Sequence, residues 1–223
     1  MAAGDITKEL EARVRSRTGL RSQQGVLSVH IYAFLSRACH DLMLRLHDAA
    51  ITEMQGVATG NLSASKAALP ADFLRDRQLF IGTGANMVQA RRIGLMDLDS
   101  IETDVLMVAS TSNPYYWIWH NESAGAPRLI VEMNSPSSTS AYSLYYMKRP
   151  SAVDEETDPD LAADKHNLLV DYAVRRVLQM EGREDEAAEV WKRYIESIVA
   201  INSRYRAGST RQEREAGARP EVS

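Results

Sequence analysis

The stretch from Asp164 to Tyr205, DKHNLLVDYAVRRVLQMEGREDEAAEVWKRYIESIVAINSRY, restricts the fold more than any other part of the chain. Leu169, Tyr172, Ala173, Arg176, Val177 and Met180 fall on one side of a first helix, which Gly182 stops. Ala187, Trp191, Tyr194, Ile195, Ile198, Ile201 and Tyr205 fall on one side of a second. Apolar stripes of this width must bury against something, and a short turn between two helices favours an antiparallel hairpin.

A partner for that hairpin is legible near the other end. Asp5 to Arg17 reads as a helix with Asp5 as N-cap and Gly19 as stop. The segment from Ser22 to Gly56 then places Leu27, Ile31, Leu35, Ala38, Leu42, Leu46 and Ala49 at spacings of three and four, one continuous apolar stripe. Gly56 and the following VATGNLSASKAA have loop composition.

The middle of the chain has a different character. LPADFLRDRQLFIG opens on Pro70 and turns strand-like, and YYWIWHNE, PRLIVEMN and AYSLYYMKRP are short runs of aromatic and branched residues. Ser135 to Ser140 (SPSSTS) reads as a turn between them. From Asn86 to Val108 the pattern is ambiguous, and LMDLDSIE fits one helical turn or two.

The expected fold class is therefore α+β: an antiparallel helical bundle built from N- and C-terminal helices, with a small antiparallel β subdomain inserted. The boundaries read as residues 1–69 for the first helices, 70–153 for the β part, 154–206 for the closing hairpin and 207–223 for a flexible polar arm.

Bulk properties narrow the function. The 223 residues suit one domain, or one with an insertion. A net charge of −4 lacks the basic excess of a nucleic-acid binder. A lone cysteine, Cys39, forms no internal disulfide and points to a reducing compartment. No apolar run reaches the length of a membrane span, and the first residues lack a secretory apolar core, so synthesis in a cytoplasm without a cleaved signal is the expectation.

Candidate chemistry is sparse. Of the five histidines, His30, His40, His47, His120 and His166, only His40 and His47 share a helix face, and no further ligand spacing supports a metal. Cys39 and His40 are adjacent on a helix and point apart, so a structural cysteine is expected. GTG at Gly82–Gly84 lacks the remaining residues of a phosphate loop and reads as a turn. Six acidic residues lie between Asp154 and Asp164; they lack the pattern of a calcium loop and read as charge favouring a following helix N-terminus. Tyr115, Tyr116, Trp117, Trp119, Tyr142, Tyr145 and Tyr146 form an aromatic group suited to a stacking platform or, with no basic patch beside it, to packing within or between subunits. Neither a cofactor nor a metal is expected.

The helix LSRACHDLMLRLHDAAITE, the opening LPADFLR of the β part, the exit YSLYYMKRPSAV and the closing helical hairpin, in this order, resemble the head-to-tail adaptors of tailed bacteriophages. The likeness is greatest to those of short-tailed phages, also called gatekeepers or tail tubular protein A, and it covers Val26 to Arg206. The resemblance implies a homo-oligomeric ring of about twelve copies with cyclic symmetry. The ring would dock beneath the portal protein, present a platform to the tail nozzle or tail tube protein, and sit at the head–tail junction of a virion assembled in the host cytoplasm. In that setting Arg204, Tyr205, Arg206 and Arg211 are portal or subunit contacts on an arm that orders on docking. Trp117, Trp119 and Tyr145 then face the tail or a neighbouring subunit. Copies carrying −4 each would give the ring about −48, so genomic DNA would pass through the lumen without specific binding.

Other functions carry their own requirements. Another neck or tail-completion protein of the same virion would share the segment order. A hydrolase needs convergent Asp, Glu and His in the β part. A DNA-binding regulator needs a basic helix, for which AVRRVLQ with Arg175 and Arg176 is the one candidate.

Overall fold

The computed structural model describes residues 4–20, 26–63, 65–94, 109–110, 112–119, 128–132 and 140–217. Four α-helices lie among them: α1 (Asp5–Thr18), α2 (Ser28–Arg45), α3 (His166–Met180) and α4 (Glu184–Gly217). Seven strands fill the middle: β1 (Gln55–Asn61), β2 (Lys66–Ala68), β3 (Phe73–Ile81), β4 (Val88–Arg92), β5 (Tyr115–Trp119), β6 (Arg128–Glu132) and β7 (Ala141–Lys148). The fold class is α+β. The chain divides into two compact units, Met1–Met54 with Pro150–Ser223, and Gln55–Arg149.

In the helical unit, α1, α2 and α4 all pack on α3. Every residue from Leu168 to Val174 is buried, so α3 has no solvent stripe over this length. Met180, expected on its buried side, is exposed instead, because it lies in the last turn beside Gly182. Gly182 takes the left-handed conformation at φ 74°, and Arg183 N–H donates to Leu178 O across the turn, which closes the hairpin. On α4 the buried residues Ala187, Val190, Tyr194 and Ile198 repeat at helical spacing. Buried Asp171 of α3 pairs with Arg17 of α1 at 2.6 Å and Arg193 of α4 at 3.7 Å.

Helix α2 is shorter than its sequence stripe. It ends at Arg45, and single 3-10 turns at Asp48–Ala50 and Thr52–Met54 carry the chain into β1. Leu27 is exposed, while Ile31, Leu35, Ala38 and Leu42 are buried as the spacing predicts. Glu11 ties α1 to α2: its carboxylate accepts from Arg15 Nε (2.7 Å), Ser28 Oγ (2.6 Å) and Tyr32 Oη (2.6 Å).

Of the acidic segment, Asp164 lies beside the α3 N-terminus, in a 3-10 turn Ala163–Lys165. The first turn of α3 holds no acidic residue. Asp158 instead accepts from the Thr7 N–H in the first turn of α1 (2.9 Å), capping a helix far away in sequence. The cap of α1 is thus Gly4, in the left-handed region at φ 82°, rather than Asp5. A Cβ at Gly4 would lie 1.9 Å from Glu155 O, so only glycine fits this crossing.

The β unit begins at Gln55, earlier than Pro70. Residues with loop composition form β1 because they pair along their whole length with β7, from Gln55↔Met147 to Asn61↔Ala141. The sheet order is β1-β7-β3-β4-β5-β6-β2. The sheet is mixed, not purely antiparallel: β4 and β5 run parallel, at Arg91↔Tyr115 and Arg92↔Tyr116. The chain between them, 93–114, has the length that the crossover of a parallel pair requires.

Strands β1 and β2 sit at opposite ends of this order, yet only Leu62 to Ser65 join them. A flat sheet of this width would separate its edges by about 29 Å, whereas so short a link spans at most about 19 Å. The sheet must therefore curl into an open barrel. Its interior holds Leu62, Phe73, Leu79, Ile81, Ala90, Tyr116, Tyr142, Leu144 and Tyr146. On β1 the inward positions are Gly56, Ala58 and Gly60, opposite Tyr146, Leu144 and Tyr142. The small residues leave room for the tyrosine rings to lie across the strand.

The turn expected at Ser135–Ser140 and most of the ambiguous Asn86–Val108 stretch lie outside the described residues. In the C-terminal segment, α4 continues to Gly217, where the sequence predicted a flexible arm from Ala207. The run RQEREA is made of strong helix formers, and proline is absent until Pro220.

Two stability predictions follow from this packing. A Cβ at Gly56 would stand 2.7 Å from the Tyr146 ring, whose hydroxyl is anchored on Asp72 at 3.0 Å. Gly56→Ala should destabilise the β unit by about 1–3 kcal/mol in urea unfolding, more than Gly60→Ala, where the nearest ring atom is at 3.2 Å. Burial works to raise the Glu11 pKa, but hydrogen bonds from Ser28, Tyr32 and Arg15 outweigh it and hold the carboxyl below its ordinary 4.5. The stabilisation from this group is therefore complete above pH 4.5 and lost as pH falls through the lower folded value. Melting temperatures measured across that range should fall less steeply for Glu11→Gln than for the unaltered chain.

Candidate interaction surfaces

Asn202 ties α4 to the end of α2. Its side-chain oxygen accepts from the His47 N–H (2.7 Å), and its Nδ2 donates to Arg45 O (2.8 Å). The second bond satisfies a carbonyl at the C-terminal end of α2, where helices leave carbonyls without partners. Beyond this clamp Ser203, Arg204 and Tyr205 are exposed. Arg206 and Arg211 follow on the same helix. Arg204, Tyr205, Arg206 and Arg211 lie on one continuous helix. Asn202 itself carries no sequence signal, since an asparagine inside a helical pattern is ordinarily neutral or unfavourable.

The aromatic residues divide by face. Along β5, Tyr116 and Ile118 point into the barrel core, while Tyr115 and Trp117 join Ile93 and Ala109 in a small cluster on the other face. Trp119 shares that outer face and is 43% exposed. Tyr145 lies on the outer face of β7, 42% exposed, with Phe80 edge-on at 5.7 Å. Val57 and Gln78 flank it as cross-strand neighbours, and a cleft of about 220 Å³ opens beside it. Three strand spacings, about 14 Å, separate β7 from β5 in the sheet order. Trp117, Trp119 and Tyr145 thus share one face of the sheet without forming a single cluster.

Most tyrosine hydroxyls with interior partners are held by carboxylates. Tyr116 donates to Asp76 at 2.7 Å, and Asp76 also pairs with Arg92 at 3.1 Å. Tyr194 donates to Asp41 at 2.7 Å. Burial, reinforced by the neighbouring carboxylate, raises the pKa of both phenols; for Tyr32, hydrogen-bonded to Glu11, the value is pushed up to about 12. These groups stay protonated through the neutral range and act as fixed donors. Burial likewise raises the Cys39 thiol to about 12, so it is not poised as a nucleophile.

The histidines do not converge. His40 and His47 are exposed, His47 Nδ1 accepts from the Ala49 N–H at 3.2 Å, and buried His166 contacts Leu161 O through Nε2 at 3.0 Å. His120 lies outside the described residues. Among the described residues no group of three or more His, Cys, Asp or Glu side chains is placed to hold a metal, and no helix is long and apolar enough to cross a membrane. Gly82 and Gly84 sit in the β3–β4 turn at φ 118° and 56°, as their spacing suggested.

Compared with known proteins, residues 1–219 match the family model described as SU10 adaptor protein. No curated protein matches the chain.

The Asn202 clamp has a measurable weight. Asn202→Ala removes two hydrogen bonds and should lower stability by about 1–3 kcal/mol, with faster amide exchange at His47 and in α4 beyond Ile201 than elsewhere in the helical unit.

Proposed function

The chain belongs to the SU10 adaptor protein family, a family of structural phage proteins, and from that premise we propose that it is the subunit of a ring joining the portal at the capsid vertex to the tail. The observation that carries this reading is the extent of the family match, which covers residues 1–219 of 223 and so takes in both compact units.

In this reading about twelve copies close a cyclic ring around the DNA exit channel. The α4 helix beyond Asn202, with Arg204, Tyr205, Arg206 and Arg211, is the portal-binding element. A helix carrying Arg and Tyr suits such a role, because these side chains are enriched at interface hot spots. The outer aromatics Trp119 and Tyr145, with half-buried Trp117, serve the tail partner or the adjacent subunit. With a net charge of −4 per copy the channel wall does not neutralise phosphates, so DNA passes without sticking. The site of action is the head–tail junction of the virion, after assembly in the host cytoplasm.

The hydrolase reading would require free carboxylates in the β unit. Asp72 and Asp76 there are engaged by Tyr146, Tyr116 and Arg92. Their geometry supports a scaffold.

Native mass spectrometry of the full chain, alone and mixed with the portal ring of the same virus, tests the proposal. Loading of about twelve chains per portal ring is the expected result, and truncation after Tyr205 should leave the fold intact while weakening that loading. A chain that stays at its single-copy mass of 24.9 kDa beside the portal would overturn the adaptor reading.

A further inference from the structure

Helices α2, α3 and α4 bring two guanidinium groups over one indole and a third over the neighbouring tyrosine ring. Arg175 lies over the Trp191 ring at 3.9 Å and Arg45 at 5.3 Å, while Arg176 lies over Tyr172 at 5.4 Å. Only Arg45 has a carboxylate partner, Asp41 at 2.7 Å, and Asp41 also accepts from Tyr194. Arg175 and Arg176 form no ion pair among the described residues. Arg176 donates only to neutral oxygens, Gln179 Oε1 and Tyr172 Oη, both at 3.3 Å, and its Nε is buried without an acceptor. Burial and the adjacent Arg176 charge hold the Arg175 pKa below its ordinary value, against the opposing fields of Asp41 and Glu184. Two half-buried positive charges therefore stand together with donors pre-oriented by aromatic stacking. This is the arrangement a planar carboxylate satisfies with paired hydrogen bonds.

The opposite charge is presented elsewhere on the same unit. Asp154, Glu155 and Glu156 are exposed on the segment leading to α3. That segment is rigidly held: Val153 N–H and Ser36 Oγ are 2.8 Å apart, Thr7 Oγ1 donates to Thr157 O at 3.0 Å, and Asp158 caps α1. Glu155 has one loose, exposed pair with Lys8 at 3.9 Å, which is worth little. Glu156 has none among the described residues. The two patches cannot meet within one chain. The acidic segment is anchored at Ser36 of α2 and at the first turn of α1, whereas the basic cluster sits beside Arg45, about 13 Å further along α2.

We propose that the Arg175–Arg176 pair receives the Asp154–Glu156 segment of an adjacent copy, forming the subunit contact of the ring. The inference rests on the ring reading given above. A heterologous contact of this kind, with unlike patches on each chain, is what a closed ring needs, and charge complementarity fixes its register.

Charge reversal of the full chain assembled on the portal ring tests it. Arg175→Glu with Arg176→Glu should reduce the number of chains loaded at least tenfold at a fixed concentration. Glu155→Arg with Glu156→Arg, on an exposed loop, should do the same without touching the aromatic cluster. Combining the four changes should restore loading, and circular dichroism and melting curves establish that each variant is folded. If either reversal loads like the unaltered chain, or the combined variant loads no better than the reversals alone, the contact is wrong while the adaptor reading stands. Retention of the unaltered chain on duplex DNA at low salt, lost on reversing Arg175 and Arg176, would assign the cluster to phosphate instead. An unaltered chain that does not load at all would remove both readings together.

Discussion

The burial of α3 on nearly every side is the constraint on which the helical unit depends. Seven consecutive residues, Leu168 to Val174, are inaccessible, and α1, α2 and α4 each supply part of the cover. Such a helix cannot be stable alone, since helices of this length draw their stability from packing rather than propensity. Because α1 and α2 precede the β unit and α3 follows it, the core is complete only when the chain returns. The Thr7–Asp158 cap and the Arg17–Asp171–Arg193 pairing close that loop with polar contacts of long sequence separation. Asp171 is buried, so loss of its partners would leave a charge whose desolvation costs about 3–5 kcal/mol.

The same device recurs at smaller scale. Tyr32 with Glu11, Tyr194 with Asp41, Tyr116 with Asp76 and Tyr146 with Asp72 each pin an aromatic ring by its hydroxyl to a carboxylate on another element. Apolar packing alone tolerates sliding between elements, whereas a directed bond to a charged acceptor contributes about 1.5–3 kcal/mol and specifies one register. This rigidity holds surface side chains in place before any partner arrives, whereas a surface that must be ordered on binding costs affinity. The exposed residues Ser203, Arg204 and Tyr205 of α4 and the outer aromatics Trp119 and Tyr145 of the sheet are mounted on these pinned elements.

Much of this architecture is visible before folding is considered. The stripe in α2, the glycine stops at Gly19 and Gly182, and strands β5, β6 and β7 follow from periodicity and turn chemistry. Trp119, Tyr145, Arg204 and Tyr205 are exposed. Strand β1 escapes such reading because its inward positions are Gly56, Ala58 and Gly60, residues that spell a loop until tyrosines of β7 cover them. Asp158 is misread for a related reason: charge before a helix suggests its own N-terminus, and nothing local reveals that Asp158 caps α1.

The amino-acid sequence alone determined the order of helices and strands, the buried face of α2, and a composition without nucleophile or metal spacing, because these depend on nearest neighbours along the chain. Tertiary structure alone decided that α3 would be enclosed, that the sheet would curl and include a parallel pair, and that α4 would be clamped at Asn202. It also decided that Arg175 and Arg176 would form no direct ion pair among the described residues, on a unit whose acidic loop is anchored elsewhere. Each of these depends on pairings between residues distant in sequence, and the free energy of such a contact belongs to the pair rather than to either residue.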